Sequence, residues 1–148
     1  MRMALALGIA LLGVAGAPSE ARPEKRYGLA ADPATYPQAT PREALDSALK
    51  AIDDKRIDYL LAQLTDPQFV DGRVQGNGGH FEDLVKETTA KLAAAPGTVK
   101  QLRRFLKEGE WKVGDASATV LLKDVDDRAV HLRKIGGRWF LENRNKPD

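Results

Sequence analysis

Between Thr40 and Gly109 the apolar residues recur at helical spacing, and beyond Gly109 they alternate. Leu45, Ala48, Leu49 and Ile52 fall on one face of a helix. Its start is written in Thr40-Pro41-Arg42-Glu43. Threonine caps, proline suits the first helical position, and Glu43 completes a capping box. Asp53-Asp54-Lys55 breaks the pattern, and either aspartate can cap a second helix with the stripe Ile57, Leu60, Leu61 and Leu64. Thr65-Asp66-Pro67 reads as its end, Phe69-Val70 as a short strand, and residues 72–79 as a glycine-rich loop. A third helix is predicted over residues 79–94, with Phe81, Leu84, Val85, Thr88 and Leu92 inward, stopped by Ala95-Pro96-Gly97. Thr98 is expected to cap a fourth, carrying Val99, Leu102, Phe105 and Leu106, and Gly109 closes it.

The alternating region has turn signals at Gly114-Asp115, Val125-Asp126-Asp127 and Gly136-Gly137. Hairpins about those turns set Trp111 opposite Ala118, Leu122 opposite Val130, Val120 opposite Leu132, Leu132 opposite Leu141, and His131 opposite Glu142. One face then carries Trp111, Val113, Ala118, Val120, Leu122, Val130, Leu132, Trp139 and Leu141. The other face is mixed, polar but with Leu121, Ile135 and Phe140. The prediction is an α+β domain in which three to four N-terminal helices pack on a four-stranded antiparallel meander.

Ahead of this domain, Met-Arg-Met precedes an uncharged run over residues 4–15. That run is too short to span a bilayer, and its glycines and flanks fit a secretory signal peptide over residues 1–21. Cleavage after Ala21, with Ser19 behind it, is preferred to cleavage after Ala17, which Pro18 follows. The alternative is an uncleaved N-terminal anchor. Export places the mature chain in the periplasm or outside the cell. Residues 22–39 hold Pro23, Pro33 and Pro37 and read as a mostly disordered leader, with Tyr27 or Tyr36 packing on the domain. Residues 40–143 form the domain, and 144–148 a frayed polar tail.

Charge and composition narrow the function. Basic residues number 23 and acidic ones 21, so the chain lacks the excess of positive charge of a dedicated nucleic-acid binder. There is no cysteine, which excludes disulfides, thiolate chemistry and a lipid-modified cysteine. Two histidines, His80 and His131, do not make a histidine-rich zinc site, and no metal or other cofactor is expected.

The segment TPREALDSALKAIDDKRIDYLLAQLTD (40–66) resembles the opening of the nuclear transport factor 2-like superfamily, where two helices meet at an acidic turn. KIGGRWFLE (134–142) resembles its last hairpin, in which a glycine turn precedes a tryptophan strand. The resemblance covers about residues 40–143 and rests on fold signatures without chemistry. It implies a cone, a curved sheet wrapped around helices with an apolar pocket between them. Members include ketosteroid isomerases, polyketide cyclases, limonene-epoxide hydrolases and many non-enzymatic binding modules, so fold alone does not select a role.

The residues themselves offer few chemical groups. Gly72 to His80 could present N–H groups to an anion, with Arg73 and His80 adding charge, but no nucleotide phosphate-loop motif follows. Asp58, Asp71 and His80, with Tyr59 beside them, are the candidate acid–base groups of an isomerase- or cyclase-like enzyme. The catalytic constellations of the enzymatic members do not map onto named positions. Asp124 to Asp127 lacks the glycine and distal glutamate of a calcium loop. Trp111, Trp139, Phe69 and Tyr59 are the candidate walls of a ligand cavity, with Arg73 and His80 at its polar end. Lys100, Arg103, Arg104 and Lys107 give the fourth helix a basic face.

The sequence thus predicts an exported, non-catalytic domain that binds a small apolar ligand or an envelope protein. The alternatives are the acid–base enzyme and a homodimerisation module pairing through Leu121, Ile135 and Phe140.

Overall fold

The computed structural model describes residues 24–148; the predicted signal segment and its cleavage sites lie outside the described residues. The chain is α+β, with the elements in the order β1 (Lys25–Arg26), β2 (Leu29–Ala30), α1 (Pro41–Asp53), α2 (Ile57–Tyr59), a π-helical turn (Leu60–Leu64), α3 (Pro67–Gly76), α4 (Phe81–Ala94), α5 (Pro96–Glu108), β3 (Glu110–Val113), β4 (Ser117–Leu122), β5 (Val125–Ile135) and β6 (Arg138–Leu141). β3 to β6 form a four-stranded antiparallel meander, and β1 and β2 a separate small hairpin.

α1 begins as the sequence dictates. Thr40 Oγ1 accepts the Glu43 N–H at 3.1 Å, and the Glu43 carboxylate accepts the Ala39 N–H at 3.0 Å. The α1 stripe divides between two apolar clusters. Ala44 and Leu45 meet Phe105 of α5 and the inner sheet face, where Ala118, Val120, Leu122, Val130, Leu132 and Trp139 are buried. Ala48 and Ala51 meet Leu60, Leu61, Leu64, Val70, Phe81 and Leu84 among the helices. The predicted inner face is the observed one, except that Val113 lies beyond the helices and is exposed.

Three local expectations are corrected. First, Phe69-Val70 is not a strand, and residues 72–76 are not loop: both belong to α3. Asp66 caps that helix by accepting the Gln68 N–H, and Pro67 fills its first position. The glycine turn is confined to residues 77–79, where Gly78 and Gly79 take positive φ. Second, the β3–β4 and β4–β5 pairings sit two residues from the predicted register. Trp111 faces Val120, and Val120 faces Val130. The displacement is even, so every side chain keeps its face. Third, α5 begins at Pro96, with no cap from Thr98.

Residues 24–39 also differ from a disordered leader. They fold into the β1–β2 hairpin and a strap that reaches α1, with Tyr36 buried against Tyr59 at a centroid distance of 4.5 Å. Likewise, residues 144–148 lie along β5: Ala129 N–H donates to Asn145 O at 2.8 Å. His131 is buried on this outer face, its Nε2 2.6 Å from Lys146 O and its Nδ1 3.2 Å from Thr119 Oγ1. A carbonyl only accepts, so Nε2 carries the proton and Nδ1 accepts from threonine. His131 and Glu142 pair through the backbone, and the Glu142 carboxylate goes to Arg144 at 2.6 Å. Phe140 of the outer face is buried, under Arg138 at 5.1 Å from its centroid.

Candidate functional site

A cleft of about 320 Å³ opens between the helices and the end of β6. α1 gives it Ala48 and Ile52, the π-helical turn Leu60 and Leu61, α3 Phe69, α4 Leu84 and Leu92, and β6 Leu141. Apart from Thr65 and Thr88, this floor is apolar. Val70 and Val74 are the buried residues of α3, which ends at Gly76.

The charged groups stand at the mouth. Arg73 reaches from α3 to Glu87 of α4 with both carboxylate oxygens near Nη2, at 2.9 and 3.0 Å. Lys91, one turn on, meets the same carboxylate at 2.8 Å. Hydrogen bonds from Lys91 and Arg73 hold the Glu87 carboxyl below its ordinary range. Glu142 also borders the cleft but is paired with Arg144. Two cations therefore share one anion on this side of the mouth, and with Glu142 the charged groups bordering the cleft are two of each sign.

Of the residues expected to line a cavity, Phe69 and Arg73 do so. Tyr59 is buried, but its hydroxyl accepts the Asp32 N–H at 2.8 Å and serves the strap. Trp139 is enclosed in the sheet cluster. Trp111 lies at the sheet margin beneath Arg42, 5.1 Å from its centroid, and its buried Nε1 has no hydrogen-bond partner among the described residues. His80 is exposed at the start of α4 and makes no capping bond. These groups do not converge.

Nor do the candidate acid–base groups. Asp58 bonds Arg56 at 3.0 Å and its own helix start. Asp71 is bound by Arg26 and by the Tyr27 hydroxyl, each at 2.6 Å. Burial raises the Asp71 pKa, but the hydrogen bonds from Arg26 and Tyr27 outweigh it and leave the carboxyl below its usual range. Neither Asp58, Asp71 nor His80 borders the cleft. Two members of the basic face of α5 are engaged, Arg103 with Asp53 and Arg104 with Glu108 and Asp124.

The polar structure that sequence reasoning missed is the anchorage of the strap. Gln63 is fully buried in the π-helical turn, and its Nε2 donates to Glu24 O and Leu29 O, both at 2.8 Å. Gln38 Nε2 donates to Gln63 O and Trp139 O. Arg138 joins them, donating to Gln38 Oε1 at 2.5 Å and Gln63 Oε1 at 3.0 Å. A π turn widens the helix and frees carbonyls for such side-chain partners. Arg26 takes another of them, Ala62 O, at 2.9 Å. Glutamines scattered at positions 38 and 63 carry no periodic signal, so only the fold brings them together.

No protein-family model, curated protein or solved structure matches the chain.

Proposed function

We propose that this protein is an exported, non-catalytic binding domain whose cleft takes a small molecule with an apolar body and an anionic head. The observation that carries the reading is the cleft itself: an apolar floor within about 320 Å³, with Arg73, Glu87 and Lys91 at the mouth. That volume sits at the lower end of small-molecule sites, which combine an apolar lining with a few placed polar groups. Arg73 and Lys91, which share the single Glu87 carboxylate, are the groups to receive a carboxylate or sulfonate head there. Helices first and an antiparallel meander last supports membership of the nuclear transport factor 2-like superfamily, and the engagement of Asp58 and Asp71 in ion pairs favours a binding role over acid–base catalysis.

Native mass spectrometry of protein taken from its own exported fraction tests the reading. The expected species runs from Arg22 to Asp148 and carries an extra bound mass. An intact Met1 would sink cleaved export. In parallel, 1-anilinonaphthalene-8-sulfonate, which has an apolar body and a sulfonate, is expected to bind the folded protein one to one. Thr88→Trp fills the cleft wall and is expected to abolish this binding while the helical circular dichroism stays unchanged. Equal binding to the Thr88→Trp protein would overturn the site.

A further inference from the structure

The two edges of the meander are finished differently. On β6 the outward backbone groups are occupied: Trp139 N–H donates to Gln38 O at 3.0 Å, and Leu141 O accepts from Asp66 N–H at 2.8 Å. On β3 the bond from Gly114 N–H to Ser117 O fixes the alternation of the hairpin. Glu110 and Lys112 therefore turn their N–H and C=O groups toward β4, and Trp111 and Val113 turn theirs outward. Among the described residues nothing bonds to those outward groups. Beside them Val113 is 57% exposed, the most exposed of the large apolar side chains described.

We propose that β3 pairs antiparallel with β3 of a second copy of this chain, about a two-fold axis at Trp111, joining two four-stranded sheets into one. An unpaired edge invites another strand, and charges normally deter it. Here the charges select one register. Only Trp111 and Val113 offer outward groups, so those residues, with Gly109, must form the hydrogen-bonded pairs. Four axes centred on a β3 residue satisfy that phase, and the one at Val113 runs the strand against the turn after Gly114 rather than against β3. An axis at Glu110 sets glutamate against glutamate, and an axis at Lys112 sets lysine against lysine. The axis at Trp111 sets Glu110 against Lys112 of the second copy, twice, at the closely spaced non-hydrogen-bonded positions.

In the single chain neither charge is firmly held. Glu110 has Lys123 no closer than 3.7 Å, and Lys112 forms no ion pair among the described residues. Each Trp111 exchanges main-chain bonds with its counterpart. Each Val113 N–H donates to Gly109 O of the second copy, and its side chain gains that copy's Trp111 as a diagonal neighbour. The Gly109 N–H stays with its own helix, donating to Phe105 O at 3.1 Å. A second copy fits this edge because its own β3 carries the complementary charges.

Sedimentation velocity on the full mature chain, over a concentration series, is expected to show a monomer–dimer equilibrium. Lys112→Glu turns both ion pairs into repulsions and is expected to raise the dissociation constant about tenfold. The swap Glu110→Lys/Lys112→Glu is expected to restore it. Val113→Pro removes an outward N–H that β4 does not use, so it is expected to yield a folded monomer. A dimer that survives both Lys112→Glu and Val113→Pro would place the interface elsewhere and overturn the proposal. So would a wild-type monomer at every concentration, including one whose Trp111 and Val113 amides exchange slowly because another segment covers the edge.

Discussion

Gly109 shows how one side chain's absence sets a junction. It ends α5 and opens β3 with an extended backbone (φ −68°, ψ 150°), so its role is not a left-handed turn. A Cβ there would stand 2.3 Å from both Phe105 O and Val120 Cγ1. Backbone on one side and a buried valine on the other leave little room to give. Gly109→Ala is expected to cost about 1–3 kcal/mol, read as a lower denaturant midpoint. The tyrosines give a second residue-scale outcome. All three are held above the ordinary value of 10, Tyr36 and Tyr59 chiefly by burial. Burial and then the Asp71 hydrogen bond push Tyr27 to about 12. A raised folded-state value means stability fully present below pH 10 and lost as pH climbs toward 12. Asp71 works in the opposite sense: its contribution holds above the ordinary carboxylate value and fades as pH falls through its lowered one. Tyrosinate absorbance in the native protein is therefore expected to lag behind that of the urea-unfolded chain. Coincident curves would contradict the hydroxyl contacts of Tyr27, Tyr36 and Tyr59.

At the scale of elements, legibility followed the source of each signal. α1 was readable because Thr40, Pro41 and Glu43 state its start in local chemistry. The inner sheet face was readable because alternation survives an even slip, whereas turn position did not survive. Gly114-Asp115 reads as the centre of its turn, yet the chain turns at Asp115-Ala116, with Gly114 bonded to Ser117. In the next hairpin Leu122 meets Val125, and an irregularity beside Leu121 absorbs Asp126, Asp127 and Arg128. α3 was missed although Asp66-Pro67 repeats the cap-and-proline signal of Thr40-Pro41. The same two residues also fit the end of the preceding helix, and Gly72 and Gly76 dilute the periodicity. Of the cleft, Phe69 and Arg73 were found, because a large aromatic and a lone arginine in a glycine-rich stretch stand out. Ile52, Leu84 and Leu92 read only as core, since an apolar residue facing a cleft and one facing a neighbour follow the same period.

Over the whole molecule, the strap of residues 24–39 is held both by polar contacts and by stacked rings. Arg138 supplies donors to Gln38 Oε1, Gln63 O and Gln63 Oε1. Removing it strands buried acceptors, at a cost of about 1–3 kcal/mol. Arg138→Ala is expected to make the chain near residues 24–39 the first site cut by trypsin, with the helices still protected. First cleavage elsewhere would show that the strap is held mainly by the stacked rings of Tyr27 on Phe81 and Tyr36 on Tyr59.

That anchorage also orders events in time. Gln38 finds its partners on Trp139 and Arg138, about a hundred positions further along the chain. A ribosome or a translocation channel delivers the strap first and its anchor nearly last. Until the final hairpin emerges, the strap has its contacts to the helices and the π-helical turn but lacks Trp139 and Arg138. The domain therefore closes like a clasp, at the moment its last strand arrives.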